Sequence, residues 1–336
     1  ERVHRRAEGS FSVVTRITGR GIIAFRDPNG IRPLCIGSNT VDGFTERVVA
    51  SESVVCKALG FNHDGDVSPG EAVIVRMNGD LSRKVCSDKV DHHPCIFEHV
   101  YFARPDSVMD GISVHSSRLR MGATLARKIS SEHPDHGIEA VIPVPDSGRI
   151  AALDLARELG VPYREGFVKN RYIGRTFIMP GQTIRKDSVR KKLNTIEGEF
   201  HGKTVLIVDD SIVRGNTSRR IVNMAREAGA TRVFFASCSP PIVHPNVYGI
   251  DMPAKSEYVA HGRSVEEIGE AIGADWLVYQ DLQDLVKACL GDESEGPANF
   301  DCSCFDGVYV TGGITEEYLE RIERLRNDDV KNKVQV

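Results

Sequence analysis

The sequence predicts an α/β protein: a parallel sheet with helices on both faces, preceded by a β-rich region. Two observations predict it. From residue 89 to about 300, short apolar strand-like runs alternate with helical segments, the pattern of strands joined by crossovers that bury a sheet on both sides. From residue 1 to about 88 the segments instead alternate with period two and are separated by turn signals. A chain of 336 residues suits about two domains, and 40% hydrophobic residues suffice for substantial cores. The expected division is 1–88, 89–304 and a tail from 305 to 336.

Element by element, Glu1–Arg6 reads as the end of a helix with no start signal, so the β-rich region is expected to begin upstream of residue 1. Residues 9–17 and 21–27 read as strands, with Asp27-Pro28-Asn29-Gly30 as a turn, and residues 71–80 as a strand running into an Asn-Gly turn. In the second region, residues 141–145 form a short strand ahead of Asp146-Ser147-Gly148, followed by a helix from Ile150 to Leu159 that Gly160 closes. Residues 204–208 make a buried strand. The helix from Ser218 to Ala228 is closed by Gly229, and residues 233–237 and 276–279 are further strands. Ser264 and Glu267 have the spacing of a capping box. A charged helix is expected near residues 316–327, and no internal repeat or low-complexity run is present.

Composition excludes several classes. A formal charge of -4 gives no basis for general nucleic-acid affinity. No apolar run approaches the roughly 20 residues of a membrane span, and the basic start lacks the apolar stretch of a signal peptide, so a cytoplasmic protein is expected. The 8 cysteines are scattered without a C-x-x-C pair, which argues against a zinc ribbon and for reduced, partly buried thiols.

Chemistry concentrates in Thr204–Thr217, where an apolar strand ends in Asp209-Asp210 and runs through Ser211, Ile212, Val213, Arg214, Gly215, Asn216 and Thr217 into a helix. Adjacent carboxylates can accept hydrogen bonds from ribose hydroxyls. Loop amides and hydroxyls backed by a helix N-terminus form an anion site. The competing reading is an ordinary parallel strand with capping residues at the next helix. A second segment, Lys169–Gln182, holds Lys169, Arg171, Tyr172 and Arg175 with two glycines and a proline, and precedes the basic run 185–192. It reads as a mobile cationic loop suited to a multiply charged leaving group. For Arg190–Lys192 alone, a solvated basic surface is the favoured reading.

The Asp-Asp, hydroxyl, Gly, Thr pattern resembles the phosphoribosyl pyrophosphate (PRPP) loop of type I phosphoribosyltransferases. Together with Tyr101–Ser107, Lys169–Gln182, Asn246–Pro253 and, upstream, Phe25–Leu34 and Ala50–Ser53, it resembles the glutamine PRPP amidotransferase family over nearly the whole chain. The resemblance implies a type I phosphoribosyltransferase sheet preceded by the back part of an N-terminal-nucleophile (Ntn) glutaminase domain. It also implies synthesis of 5-phosphoribosylamine, pyrophosphate and glutamate from PRPP, glutamine and water, the opening step of purine biosynthesis. Asp209 and Asp210 would bind the ribose hydroxyls and one Mg²⁺ per subunit, Ser211–Thr217 the 5-phosphate, and Lys169–Gln182 would close over PRPP. Purine nucleotides are expected as feedback inhibitors and a homo-oligomer as the assembly, with no nucleic-acid or membrane partner.

Three departures qualify this. The family's nucleophile is a cysteine at the mature N-terminus, whereas residue 1 is Glu1 and the first cysteine is Cys35. A fragment is therefore expected, able at most to use ammonia in place of glutamine. Some members hold a four-cysteine iron–sulfur cluster. Cys95 and Cys304 match two of those positions but Asn246 and Asp301 occupy the others, so no iron–sulfur cluster is expected. Where some relatives carry a metal-proximal serine this chain has Gly148, and Ser147 is expected to take that role. A non-catalytic PRPP-binding regulator and a nucleobase salvage phosphoribosyltransferase are the alternatives. The intact Lys169–Gln182 segment speaks against the first and the β-rich front region against the second.

Overall fold

The computed structural model describes residues 1–170, 193–291 and 296–326. They form two compact units, one of residues 1–117, 243–255 and 289 onward, the other of 118–242 and 256–288.

The first unit begins with helix α1 (Arg2–Arg6) and strands β1 (Ser12–Ile17) and β2 (Gly21–Arg26). Next come β3 (Cys35–Val41), β4 (Phe44–Ala50), helix α2 (Ser53–Ala58) and β5 (Asn62–Asp66). Strands β6 (Glu71–Arg76) and β7 (Leu81–Val85) and the short pair β8 (Val108–Met109) and β9 (Ile112–Ser113) follow. Two antiparallel sheets result, ordered β1-β2-β6-β7 and β4-β3-β5. Ala24, Leu34, Ile36, Val67, Val73 and Val75 make a shared core, from the inward sides of β2, β3 and β6 and the residues flanking β3 and β5. The expected turn at Asp27 is built by its buried carboxylate, which accepts from the amides of Phe11, Asn29, Ile31 and Arg32 at 3.2, 3.0, 3.1 and 3.4 Å. Next to it Arg26, 1% exposed, donates to the carbonyls of Gly30, Arg32 and Val67 and forks onto both oxygens of Asp110 at 2.7 and 2.8 Å.

The second unit begins within α3 (Val114–Glu132) and continues with β10 (Ala140–Pro143), α4 (Arg149–Leu159) and the antiparallel pair β11 (Phe167–Lys169) and β12 (Leu193–Thr195). It goes on through α5 (Glu197–Phe200), β13 (Thr204–Asp209), α6 (Asn216–Glu227), β14 (Arg232–Ser237), α7 (Val265–Ile272), β15 (Trp276–Tyr279) and α8 (Leu282–Leu290). Strands β10-β13-β14-β15 form a fully parallel sheet in that order. Near-continuous burial along these strands is the consequence of cover on both faces. Leu277 points at Gly269 of α7, whereas its neighbour Trp276 stacks on His133, just past α3, at 4.5 Å. Successive residues of a strand face opposite ways, so α7 and the end of α3 lie on opposite sides. The expected stops also hold: Gly160 closes α4 in the left-handed conformation, and Ser264 and Glu267 form a complete capping box.

Residues 289 onward return to the first unit with α9 (Ser303–Asp306) and α10 (Glu316–Arg326). Cys95 bridges Asp301 there, and burial pushes the Asp301 carboxyl up to about 6 although the Ser303 amide donates to it. Because that value lies above the usual carboxylate range, the folded state holds a proton that the unfolded chain releases. The associated stability is complete below about pH 4 and is lost as pH rises through about 6. Asp301→Asn is expected to raise the unfolding free energy at about pH 7 by up to about 3 kcal/mol and to change it little at about pH 4, as read by urea unfolding at the two values.

No helix among the described residues is long and apolar enough to cross a membrane. All 8 cysteines are free, Cys86 half-buried and the rest buried.

Candidate functional site

β13 is central in its sheet and ends in Asp209 at its carboxyl edge, where ligands of parallel sheets bind. Asp209 and Asp210 are only 8% and 7% exposed. The Asp210 amide donates to Asp209 Oδ1 at 2.9 Å, and Ser211 Oγ donates to Asp210 Oδ1 at 2.5 Å. Burial, then the charge of Asp210, drives the Asp209 carboxyl well up. Burial also raises Asp210, against hydrogen bonds from Ser147 and Ser211 and the charge of Arg118. Two carboxylates this close and this dry favour a shared proton or a cation over two bare charges.

Past the pair the chain turns outward. Ile212 is buried as an anchor, the Val213 carbonyl accepts from the Val259 amide at 2.9 Å, and Arg214 pairs with Glu257 at 2.7 Å. Gly215 is the N-cap of α6 with φ 72°, and it supplies no side chain to cap the helix. No acidic residue sits in the first turn, and Asn216 and Thr217 are exposed. The amides at this end therefore have no side-chain cap, with the positive end of the helix dipole behind them, an arrangement suited to an anion. A Cβ at Gly215 would lie 2.9 Å from Val259 Cγ2 in addition to the left-handed strain. Gly215→Ala is expected to destabilise the chain by about 1–3 kcal/mol, measured by thermal unfolding. A cavity of about 290 Å³ opens beside this loop, walled by Arg214, Asn216, Arg219, Tyr258 and Arg263 among others.

The neighbouring strand end completes the arrangement. After β10 the Pro145–Asp146 peptide is cis. Ser147 bonds Asp210, and a Cβ on Gly148 would meet the Val208 carbonyl at 2.4 Å, so the backbone approach leaves room only for glycine. Lys169, the last residue of β11, reaches Asp146 Oδ2 at 2.6 Å, and Arg149 donates to Oδ1 at 3.2 Å.

Thus Asp209, Asp210, Ser211–Thr217, Ser147 and, through Asp146, Lys169 gather at one edge of one sheet. Arg171, Tyr172 and Arg175, with the rest of 171–192, lie outside the described residues. Two groups at the pair escaped the reading of the sequence. Arg118, 4% exposed on α3, acts on Asp210 from a distant element. Cys238 donates its amide to the Asp209 carbonyl at 2.9 Å, and its thiol is pushed up by burial and by both carboxylates. Nothing local marks either residue. A basic residue on a helix, and a cysteine after a strand, acquire meaning only when the sheet closes.

Comparison with known proteins agrees with this geometry. The family described as phosphoribosyl transferase domain matches residues 112–238. The amidophosphoribosyltransferase of Pseudomonas aeruginosa is 58% identical over 333 residues, covering 99% of this chain and 66% of that protein. Those of Escherichia coli and Saccharomyces cerevisiae are 54% and 48% identical, covering 98% and 99% of this chain and 65% of each protein. Among solved structures, the glutamine PRPP amidotransferase from B. subtilis complexed with ADP and GMP superposes with a TM-score of 0.79 at 41% identity, over 92% of this chain and 65% of that one. A structure described as the allosteric regulatory enzyme of purine biosynthesis gives 0.80 at 40%, over 94% and 66%. The chain spans just under two thirds of the length of these relatives.

Proposed function

Because the chain belongs to the amidophosphoribosyltransferase family, we propose that it carries out the phosphoribosyl-transfer half of that activity, in which ammonia attacks C1 of PRPP and pyrophosphate leaves. The observation that carries the reading is the buried Asp209-Asp210 pair joined through Gly215 to the uncapped N-terminus of α6. In this reading the carboxylates accept the ribose hydroxyls. The amides and hydroxyls of Ser211–Thr217 hold the 5-phosphate. Lys169, with Arg171 and Arg175, supplies counter-charge to the leaving pyrophosphate, and Tyr172 a hydroxyl donor.

Mg²⁺ fits the donor set, since hard oxygens are what it takes and the pair is acidic and dry; Asp209, Asp210 and the Ser147 hydroxyl would hold it. When bound, it neutralises charge on the pyrophosphate. An iron–sulfur cluster does not fit. Asn246 Oδ1 accepts from the amides of Tyr248 and Ile250, Asp301 Oδ1 accepts from Ser303, and neither position offers a thiolate beside Cys95 and Cys304. In the whole protein, glutamine is the nitrogen source and 5-phosphoribosylamine, pyrophosphate and glutamate the products. Purine nucleotides regulate a cytoplasmic homo-oligomer, in keeping with the ADP and GMP of the B. subtilis complex.

The test is pyrophosphate release from PRPP and Mg²⁺ with ammonium chloride, with glutamine, or with adenine, guanine or hypoxanthine as acceptor. Supplying ammonia directly reads the transferase half alone, and ammonia-dependent release is expected. Release with a nucleobase instead would establish a salvage enzyme. Tight PRPP binding without release to any acceptor would establish a non-catalytic binding protein.

A further inference from the structure

Far along the sequence from the Asp209 loop, the first unit gathers a second set of chemically capable side chains. Cys35, His63 and Asp66 place one donor atom each within 4.8 Å of one another. Their convergence has a definite cause. β3 and β5 are antiparallel with Cys35 opposite Asp66 and Gly37 opposite His63, and the register shifts between Ile36 and Gly37. That shift is a bulge at Asp64. In a regular strand, residues three apart face opposite sides, but the extra residue turns His63 onto the face of Asp66 and Cys35. Asp64 goes to the other face, where it binds Ser38 and Arg47.

A fourth donor comes from the helix above. Cys56 of α2 sits over Gly37, two residues along β3 from Cys35 on the same face, and is 0% exposed. It fits because Gly37 lies beneath: a Cβ there would be 2.9 Å from Cys56 Sγ. The two carboxylate oxygens of Asp66 are differently engaged. Oδ2 accepts from the Asp110 amide at 2.8 Å, which fixes the plane of the group, while Oδ1 faces His63 Nε2 at 4.0 Å. The thiols and the imidazole are borderline to soft donors, the combination that selects zinc over magnesium or calcium. In tetrahedral zinc the donor atoms are roughly 3.3–3.8 Å apart, so Cys35, His63 and Asp66 close in from within 4.8 Å and the Cys56 side chain rotates toward them.

We propose that Cys35, Cys56, His63 and Asp66 form a structural zinc site that ties β3, β5 and α2 together. Zn²⁺ forms two bonds to sulfur as the two thiol protons pass to solvent, and one bond each to His63 Nε2 and Asp66 Oδ1. No oxidant or reductant enters. The approach is from the solvent-facing side of His63, the exposed member of the set.

The chain, reduced and stripped of metal by a chelator, is titrated with cobalt(II) chloride and then with zinc chloride. One equivalent of cobalt is expected to develop a thiolate-to-cobalt charge-transfer band in the near ultraviolet, which zinc abolishes, and zinc is expected to raise the thermal midpoint. The band is expected to be absent in Cys35→Ser/Cys56→Ser. Since those thiols are buried and their loss can disturb the fold, His63→Ala is the second variant. Its side chain is not in the core, and it is expected to keep the fold and weaken cobalt binding about 10–100-fold. Absence of the band in the folded parent overturns the proposal. So does a band that persists in the double cysteine variant, which would locate the metal at other thiols such as Cys95, Cys302 and Cys304, or cobalt affinity unchanged in His63→Ala.

Discussion

Asp209→Asn/Asp210→Asn is expected to reduce ammonia-dependent pyrophosphate release by on the order of 10³-fold while leaving the chain at least as stable as the parent. The two halves of this result have one cause. Both carboxyls are pushed up by burial, so the fold is strained by holding their charge rather than stabilised by it. Asparagine keeps the shape and the carbonyl acceptor: the Asp210 amide still finds Oδ1 of residue 209, and Ser211 still finds residue 210. The variant loses the negative charge that, in the proposed function, a cation and the ribose hydroxyls require. Steady-state rates with ammonium chloride, taken beside a thermal melt, separate the effects. A slower enzyme with an unchanged or higher midpoint supports the assignment. A large fall in midpoint would make the pair structural, and an unchanged rate would remove it from the chemistry.

Arg26→Met is expected to lower the unfolding free energy by about 3–5 kcal/mol, because it strands a buried carboxylate. Burial alone would raise Asp110, but the hydrogen bonds and charge of Arg26, with His92 Nε2 3.4 Å away, outweigh it and hold the group far below the usual carboxylate range. Removing the guanidinium also leaves the carbonyls of Gly30, Arg32 and Val67 without the donors they share. Arg26→Met/Asp110→Asn is expected to recover a substantial part of the loss, since removing both charges removes the desolvation cost as well. Urea unfolding of the parent, both single variants and the double variant gives the coupling directly. Additive single effects would show that the pair is not what holds this part of the first unit.

The site was legible where its chemistry is local. Strand, carboxylate pair, glycine and helix follow one another within Thr204–Thr217, and each acts through its immediate neighbours: Gly215 by its φ of 72°, the pair by adjacency, the loop by the helix it starts. The parallel sheet was legible for a similar reason, because β10, β13, β14 and β15 are apolar throughout and separated by helical segments. The compact units were less so. A boundary read along the chain divides at one point, whereas residues 243–255 and 289 onward pack with the front region, and such returns depend on surfaces that exist only after folding.

By itself, then, the sequence determined the fold class, the family and the order of strand, carboxylate pair, glycine and helix in Thr204–Thr217, all properties of contiguous residues whose spacing is set by covalent geometry. Only the tertiary structure decided that Arg118 and Ser147 act on Asp210, that Lys169 is held at Asp146, and that a one-residue bulge at Asp64 turns His63 toward Cys35 and Asp66. Those relations join residues far apart in the chain or depend on strand register. Register is fixed by the packing of whole faces, which no single segment encodes.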